Sequence, residues 1–412
     1  MSLLRLPTLV ALALALVLAG CGGEGTPPGL TGVATERPAA ALRAQVTELL
    51  VGHVYRTALA VDADLVQGRD SERFEQAADQ LDETSRALSG ILGRAYGAET
   101  GERFLALWRE HVGLLLDYTT AKRENEHEAA ERAIAGLEGF RAEASTLVAA
   151  INPNLSRAWM ARELGTLVDE ELAAIRAAAV RSPEAFERTR EAAGRMPGLA
   201  AVLAEAIARQ FPAQFPGRPD TSASRLRARL TARLSAHAHL LATTAVTGAR
   251  AGDTSVAAGA ARAAVDENLR ALRGVLAGVY GAAAGEQFRV VWSDGVALVE
   301  DLATARRAKD AEGTAQARGA LENWRVEFVE LAVSATPGLE AEPVASALET
   351  HLDALDAAIG AAAGDDDDLA PRVVAAAQPM ASLARLLAAG IARQFPGEFA
   401  ATGRDRGVVE RS

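Results

Sequence analysis

The sequence predicts an all-α protein made of two tandem copies of a six-helix bundle, each built from three αα-hairpins, and three observations carry that expectation. Aromatic residues are only 4% of a chain that is 49% hydrophobic, so Ala, Leu, Val, Glu and Arg dominate, a mixture that favours helix. No stretch shows the period-two alternation of a half-buried strand. A shift of 184 residues without gaps superposes Leu42-Arg43-Ala44 on Leu226-Arg227-Ala228, and Tyr96, Phe104 and Trp108 on Tyr280, Phe288 and Trp292. The same shift lays Ile207-Ala208-Arg209-Gln210-Phe211-Pro212 on Ile391-Ala392-Arg393-Gln394-Phe395-Pro396. So long a register implies a duplicated structural unit.

Breakers then place the elements. Gly68, Gly97, Gly252 and Gly281 stand where helices should stop, and Ser182 before Pro183-Glu184 reads as a helix start. Prolines are read as boundary residues, at 153, 183, 212, 337 and 396. In the first copy this predicts helices near 40–67, 71–95, 99–123, 126–151, 155–180 and 183–211. The expected layout is a signal peptide over 1–20, a flexible tether over 21–38, and the first copy over 39–217. A linker over 218–224, the second copy over 225–399 and a disordered tail over 400–412 complete it.

Arg5 and the apolar run from Leu6 to Ala19 precede Leu18-Ala19-Gly20-Cys21. The run is too short for a comfortable membrane span, and its end resembles the lipobox of bacterial lipoproteins. That resemblance implies cleavage before Cys21, acylation of Cys21 and a palmitate-type anchor on the outer face of the cell membrane, or on the outer membrane of a Gram-negative cell. Cys21 is the only cysteine, so no disulfide or thiolate-metal site is expected. No later stretch is read as membrane-spanning. The formal charge is −11, and loss of Arg5 with the signal makes it −12. That acidity argues against nucleic acid as a partner and leaves the membrane, through the lipid, as the expected one.

Four of the six histidines occupy one equivalent hairpin position: His53, His111, His237 and His351. The third position of the first copy holds Leu167, and the corresponding place in the second holds Gly295. Around each histidine, residues at −7, −3, +4 and +7 form an apolar stripe, such as Phe104, Trp108, Leu115 and Tyr118 around His111, which puts the imidazole on an inward face. Histidines meeting on a bundle axis are a candidate zinc or copper site. Met196 and Met380, which coincide under the shift, could add a thioether for a soft ion, or could be ordinary core residues. Glu171 is the clearest inward-facing acid, at the position of Leu115 and Leu355. His127, in Glu124-Asn125-Glu126-His127, reads as a solvated turn, and Asp365 to Asp368 as a charged turn without the spacing of a calcium loop.

No zinc-protease, serine-hydrolase or phosphate-loop motif is present in the sequence, and no catalytic activity is expected. The Tyr96-Gly97, Phe104, Trp108 and His111-Val112 stretch, with Gln-Phe-Pro closing each copy, resembles a helical repeat region of exported bacterial proteins, some of which carry the name copper amine oxidase. The resemblance implies histidine near the 53, 111 and 167 positions and before the methionine position. This chain has Leu167 and Arg195 there in the first copy, and Gly295 and Pro379 in the second. Such oxidases make their quinone from a tyrosine that follows an asparagine. None of Tyr55, Tyr96, Tyr118 and Tyr280 does, so amine oxidase activity is not expected. The reading that results is a non-catalytic binding or scaffolding lipoprotein of the cell envelope. The alternative is a copper- or zinc-binding protein for storage, sensing or delivery, with a haem or redox protein on the same residues third.

Overall fold

The computed structural model describes residues 33–399, and among these the regular elements are all helical. A 3-10 turn (Ala34–Glu36) leads into twelve α-helices. The first six are α1 (Pro38–Gln67), α2 (Glu72–Tyr96), α3 (Ala98–Glu124), α4 (His127–Ile151), α5 (Arg157–Ala179) and α6 (Glu184–Gln210). The second six are α7 (Ser222–Ala251), α8 (Val256–Tyr280), α9 (Ala282–Ala308), α10 (Ala311–Ala335), α11 (Ala341–Gly364) and α12 (Leu369–Gln394). The expected boundaries agree with these to within a few residues.

The punctuation repeats because its chemistry repeats. Ser71 accepts from the Phe74 amide at the start of α2, and its counterpart Ser255 accepts from Ala258 at the start of α8; each hydroxyl satisfies an amide that the first turn leaves unpaired. Gly97 and Gly281 take φ of 96° and 91° between consecutive helices, a region that side chains resist. Asn125 and Lys309 close α3 and α9 in the left-handed conformation.

The two series of six share a core. Residues from both form one continuous apolar cluster, and α1 lies along α7. Residues Leu50 to Tyr55 are buried without a break, which an ordinary amphipathic helix does not do; α1 is covered by its own series on one side and by α7 on the other. Equivalent residues answer each other across this contact. The Arg43 guanidinium donates to the Pro219 carbonyl at 2.8 Å, and Arg227, its counterpart, donates to Thr35, the counterpart of Pro219, also at 2.8 Å. Tyr55 stacks on His239, its own counterpart, with ring centroids 5.0 Å apart. Reciprocal contacts of this kind define a local two-fold relation, the geometry of an isologous dimer inside one chain.

Three expectations are corrected. Residues 34–36, placed in the tether, are ordered: Glu36 pairs with Arg227 at 3.0 Å and Arg385 at 2.7 Å, tying the chain entry to α7 and α12. Prolines are not all boundary residues, since Pro197 lies inside α6 and Pro379 inside α12. Finally, α12 is by length and composition apolar enough to cross a bilayer. Its apolar residues are spent instead on the core against α7 and α11, where 61% of its most apolar window is buried. Residues 1–32 and 400–412, which include Cys21, lie outside the described residues.

Candidate metal centre

In each series the odd-numbered helices carry the equivalent histidine position on their inner faces. His53 on α1 and His111 on α3 meet Glu171 of α5 inside the first series. Both imidazoles are fully buried and Glu171 is 3% exposed. His53 Nε2 lies 3.2 Å from Glu171 Oε1, and His111 Nε2 lies 3.1 Å from Oε2. These separations are short enough for hydrogen bonds but are not aligned for them, so none of the four ring nitrogens and neither carboxylate oxygen has a hydrogen-bond partner. Buried polar groups in that state are destabilising by a few kcal/mol each. A cation held between them would satisfy the two Nε2 atoms and the carboxylate. The separations also approach the roughly 3.3 Å edge of a tetrahedron with bonds of about 2.0 Å, the length of zinc–imidazole and zinc–carboxylate bonds.

The electrostatics favour an ionised carboxylate. Burial alone would raise the Glu171 carboxyl, but the two imidazoles, His111 foremost, outweigh it and hold the group at about 2. Burial pushes His53 down, against the upward pull of Glu171. The carboxylate is thus held in the anionic form that a metal ligand requires. The walls are dry: Phe140 stacks on His111 at 4.6 Å, and the Trp108 ring lies 5.0 Å from His53.

The second series builds something different from matching positions. Gly295 replaces His111, Leu355 replaces Glu171 and Trp324 replaces Phe140. The Trp324 indole fills the room that Gly295 leaves, for a Cβ there would meet the ring at 2.4 Å, and its N–H donates to the Val291 carbonyl at 2.6 Å. Trp292 donates from Nε1 to His237 Nε2 at 2.8 Å, whereas Nε1 of its counterpart Trp108 has no partner. His351 donates from Nδ1 to the Ala376 carbonyl at 2.6 Å. Burial, with a smaller push from His351, takes His237 down to about 3. Burial takes His351 to about 4, partly offset by its bond to Ala376.

The remaining sequence candidates fall elsewhere. Met196 and Met380 are buried in the apolar core. Arg195, at the position before the methionine, pairs with Glu170 and is largely exposed. His239 belongs to the contact between the series, and His127 is exposed at the start of α4. Among the described residues, His53, His111 and Glu171 are the one group of three acidic, histidine or cysteine side chains close enough to share an ion. Sequence reasoning saw Glu171 facing inward but did not join it to the histidines. The signal was its place one turn after Leu167 on the same face: a carboxylate from the next turn stands in for the missing third imidazole.

Comparison with protein-family models, curated proteins and solved structures finds no match. The lipoprotein and helical-repeat resemblances therefore rest on their motifs alone.

Proposed function

We propose that this protein is a lipid-anchored, extracytoplasmic helical protein whose first series binds one divalent transition-metal ion, zinc or copper, through His53, His111 and Glu171. The second series binds none and serves as its structural partner. The observation that carries this is the convergence of two buried imidazole Nε2 atoms on the two oxygens of one buried carboxylate. A carboxylate in place of a thioether favours zinc or copper(II) over copper(I). A closed, aromatic-walled site suits holding or sensing an ion rather than turning over a substrate. The lipobox and the acidic charge support a solvated body tethered at Cys21.

The test is elemental analysis of the chain expressed without residues 1–21, loaded with zinc or copper and desalted. One ion per chain is expected, falling to none in His53→Ala/His111→Ala and in Glu171→Gln, and staying at one in His237→Ala/His351→Ala. A wild-type chain without metal, or a His53/His111 double variant of unchanged stoichiometry and native helicity, overturns it. Separately, Cys21→Ser should move the full chain from the membrane to the soluble fraction.

A further inference from the structure

Three protein ligands leave a zinc or copper ion one short of the four that a tetrahedral site takes. Among the described residues no fourth histidine, cysteine, aspartate or glutamate joins His53, His111 and Glu171, so the remaining ligand comes from outside the chain. Charge limits what it can be. Imidazoles ligate in the neutral form, so a divalent ion held by two of them and one carboxylate keeps one positive charge uncancelled. The three side chains are buried, and an unpaired charge among them is strongly destabilising. Beyond the trio, the charge acting on His53 is the Arg56 guanidinium, which adds to the positive potential. Glu170, next to Glu171 in the chain, is paired with Arg195. A monovalent anion on the ion makes the group neutral.

The wall supplies a donor for that anion. Trp108 is 4% exposed and its Nε1–H has no hydrogen-bond partner, a state that buried donors seldom keep. The second series shows where such an indole points. There Trp292 packs on His237 with centroids 5.4 Å apart and planes at 71°, and donates to Nε2 at 2.8 Å. Trp108 packs on His53 in nearly the same way, 5.0 Å apart at 59°. His53 Nε2, however, faces Glu171 Oε1 at 3.2 Å, and the indole N–H is left beside the trio with nothing to bond. Trp108 also lies 5.3 Å from His111, so it borders both imidazoles. An indole nitrogen is a donor only and ligates no metal; it can serve only an acceptor carried by the ion. With Phe140 stacked on His111 at 4.6 Å, the walls suit a ligand of one heavy atom.

Granted the metal reading above, we propose that the fourth ligand of the ion is a halide such as chloride, held by the Nε1–H of Trp108. Hydroxide would bring an O–H that needs an acceptor of its own, whereas a halide asks only for the donor that Trp108 offers. Trp108 thus does for the anion what Trp292 does for His237, and the first series binds a metal and an anion together.

The test uses the chain lacking residues 1–21, loaded with cobalt(II) in chloride-free buffer, because the visible absorption of cobalt reports its ligands where zinc is silent. One cobalt per chain is expected, with a saturable change of the visible bands on adding sodium chloride and none with sodium sulfate of equal ionic strength. X-ray absorption at the cobalt edge should then show a chlorine neighbour. Trp108→Phe should keep its cobalt and weaken chloride binding roughly tenfold or more, the loss of one hydrogen bond to a charged group. Trp292→Phe should leave chloride binding unchanged. The proposal is overturned by a Trp108→Phe chain that binds chloride as tightly as wild type, or that loses its cobalt at native helicity. Absence of chlorine at the wild-type cobalt edge overturns it too, even where Trp108→Phe fails to fold. A wild-type chain that takes up no cobalt sinks the metal reading and this proposal together, whereas bound cobalt without a chloride response sinks this proposal alone.

Discussion

In the first series two imidazoles turn toward one carboxylate and leave their polar atoms unbonded. In the second, His237 accepts a hydrogen bond from an indole and His351 donates one to a main-chain carbonyl. The helices carrying them have similar lengths, and α1 and α7 both run for 30 residues. What differs is a handful of neighbours: Gly295 for His111, Trp324 for Phe140, Leu355 for Glu171 and Phe328 for Ala144. A buried histidine is thus a ligand or a structural hydrogen-bonding group according to what faces it, and the framework tolerates both.

That contrast can be broken in order of expected size. Acid should act most strongly. His237, His239 and His351 lie at about 3, 3 and 4 against an ordinary 6.5, burial being the chief cause. The unfolded chain takes up protons that the folded one refuses, so this stability is complete above about pH 6.5 and is lost as pH falls toward 4 and 3. Urea unfolding across that window should show the loss, and His237→Gln/His351→Gln should flatten it; an unchanged acid slope in the variant would break the picture.

Next, Leu355→Glu places the carboxylate of the first series among neutral groups of the second. Without a second converging imidazole it should destabilise by about 3–5 kcal/mol in urea, and a smaller loss would mean the second series can still accommodate a charge. Gly295→Ala, forced against Trp324, should lose about 1–3 kcal/mol. Adding Trp324→Phe should restore much of it, and simple additivity of the two changes would show that the close approach is not the cause. Smallest is the tryptophan pair. Trp292→Phe strips His237 of its donor and should lose about 1–3 kcal/mol, more than Trp108→Phe, whose indole N–H bonds nothing. Equal losses would mean the bond to His237 contributes little.

Most of the helical framework was readable from residue order. Gly97 and Gly281 act on their own turns, so their effect is legible without knowing the fold. The inward aspect of His53, His111, His237 and His351 followed from three-, four- and seven-residue spacing, and all four are buried. Glu171 was read as inward but not as a partner, because meeting across three helices depends on axial stagger that spacing within one helix does not encode. Pro197 and Pro379 were hidden for a related reason: a helix interior admits proline when the surrounding bundle holds it. The apolar character of α12 was underestimated because its arginines lie near its ends, 372 and 393, or are neutralised across the fold, as Arg385 is by Glu36.

By itself the amino-acid order determined helix, duplication and which way each imidazole leans, since these follow from local propensity and periodicity. Only the tertiary structure decided that the copies share one core through α1 and α7, that Glu171 completes the first trio, and that Trp324 fills what Gly295 leaves open. Those outcomes depend on which side chains arrive at the same point from distant helices, and close packing lets one substitution there change the chemistry of the whole pocket.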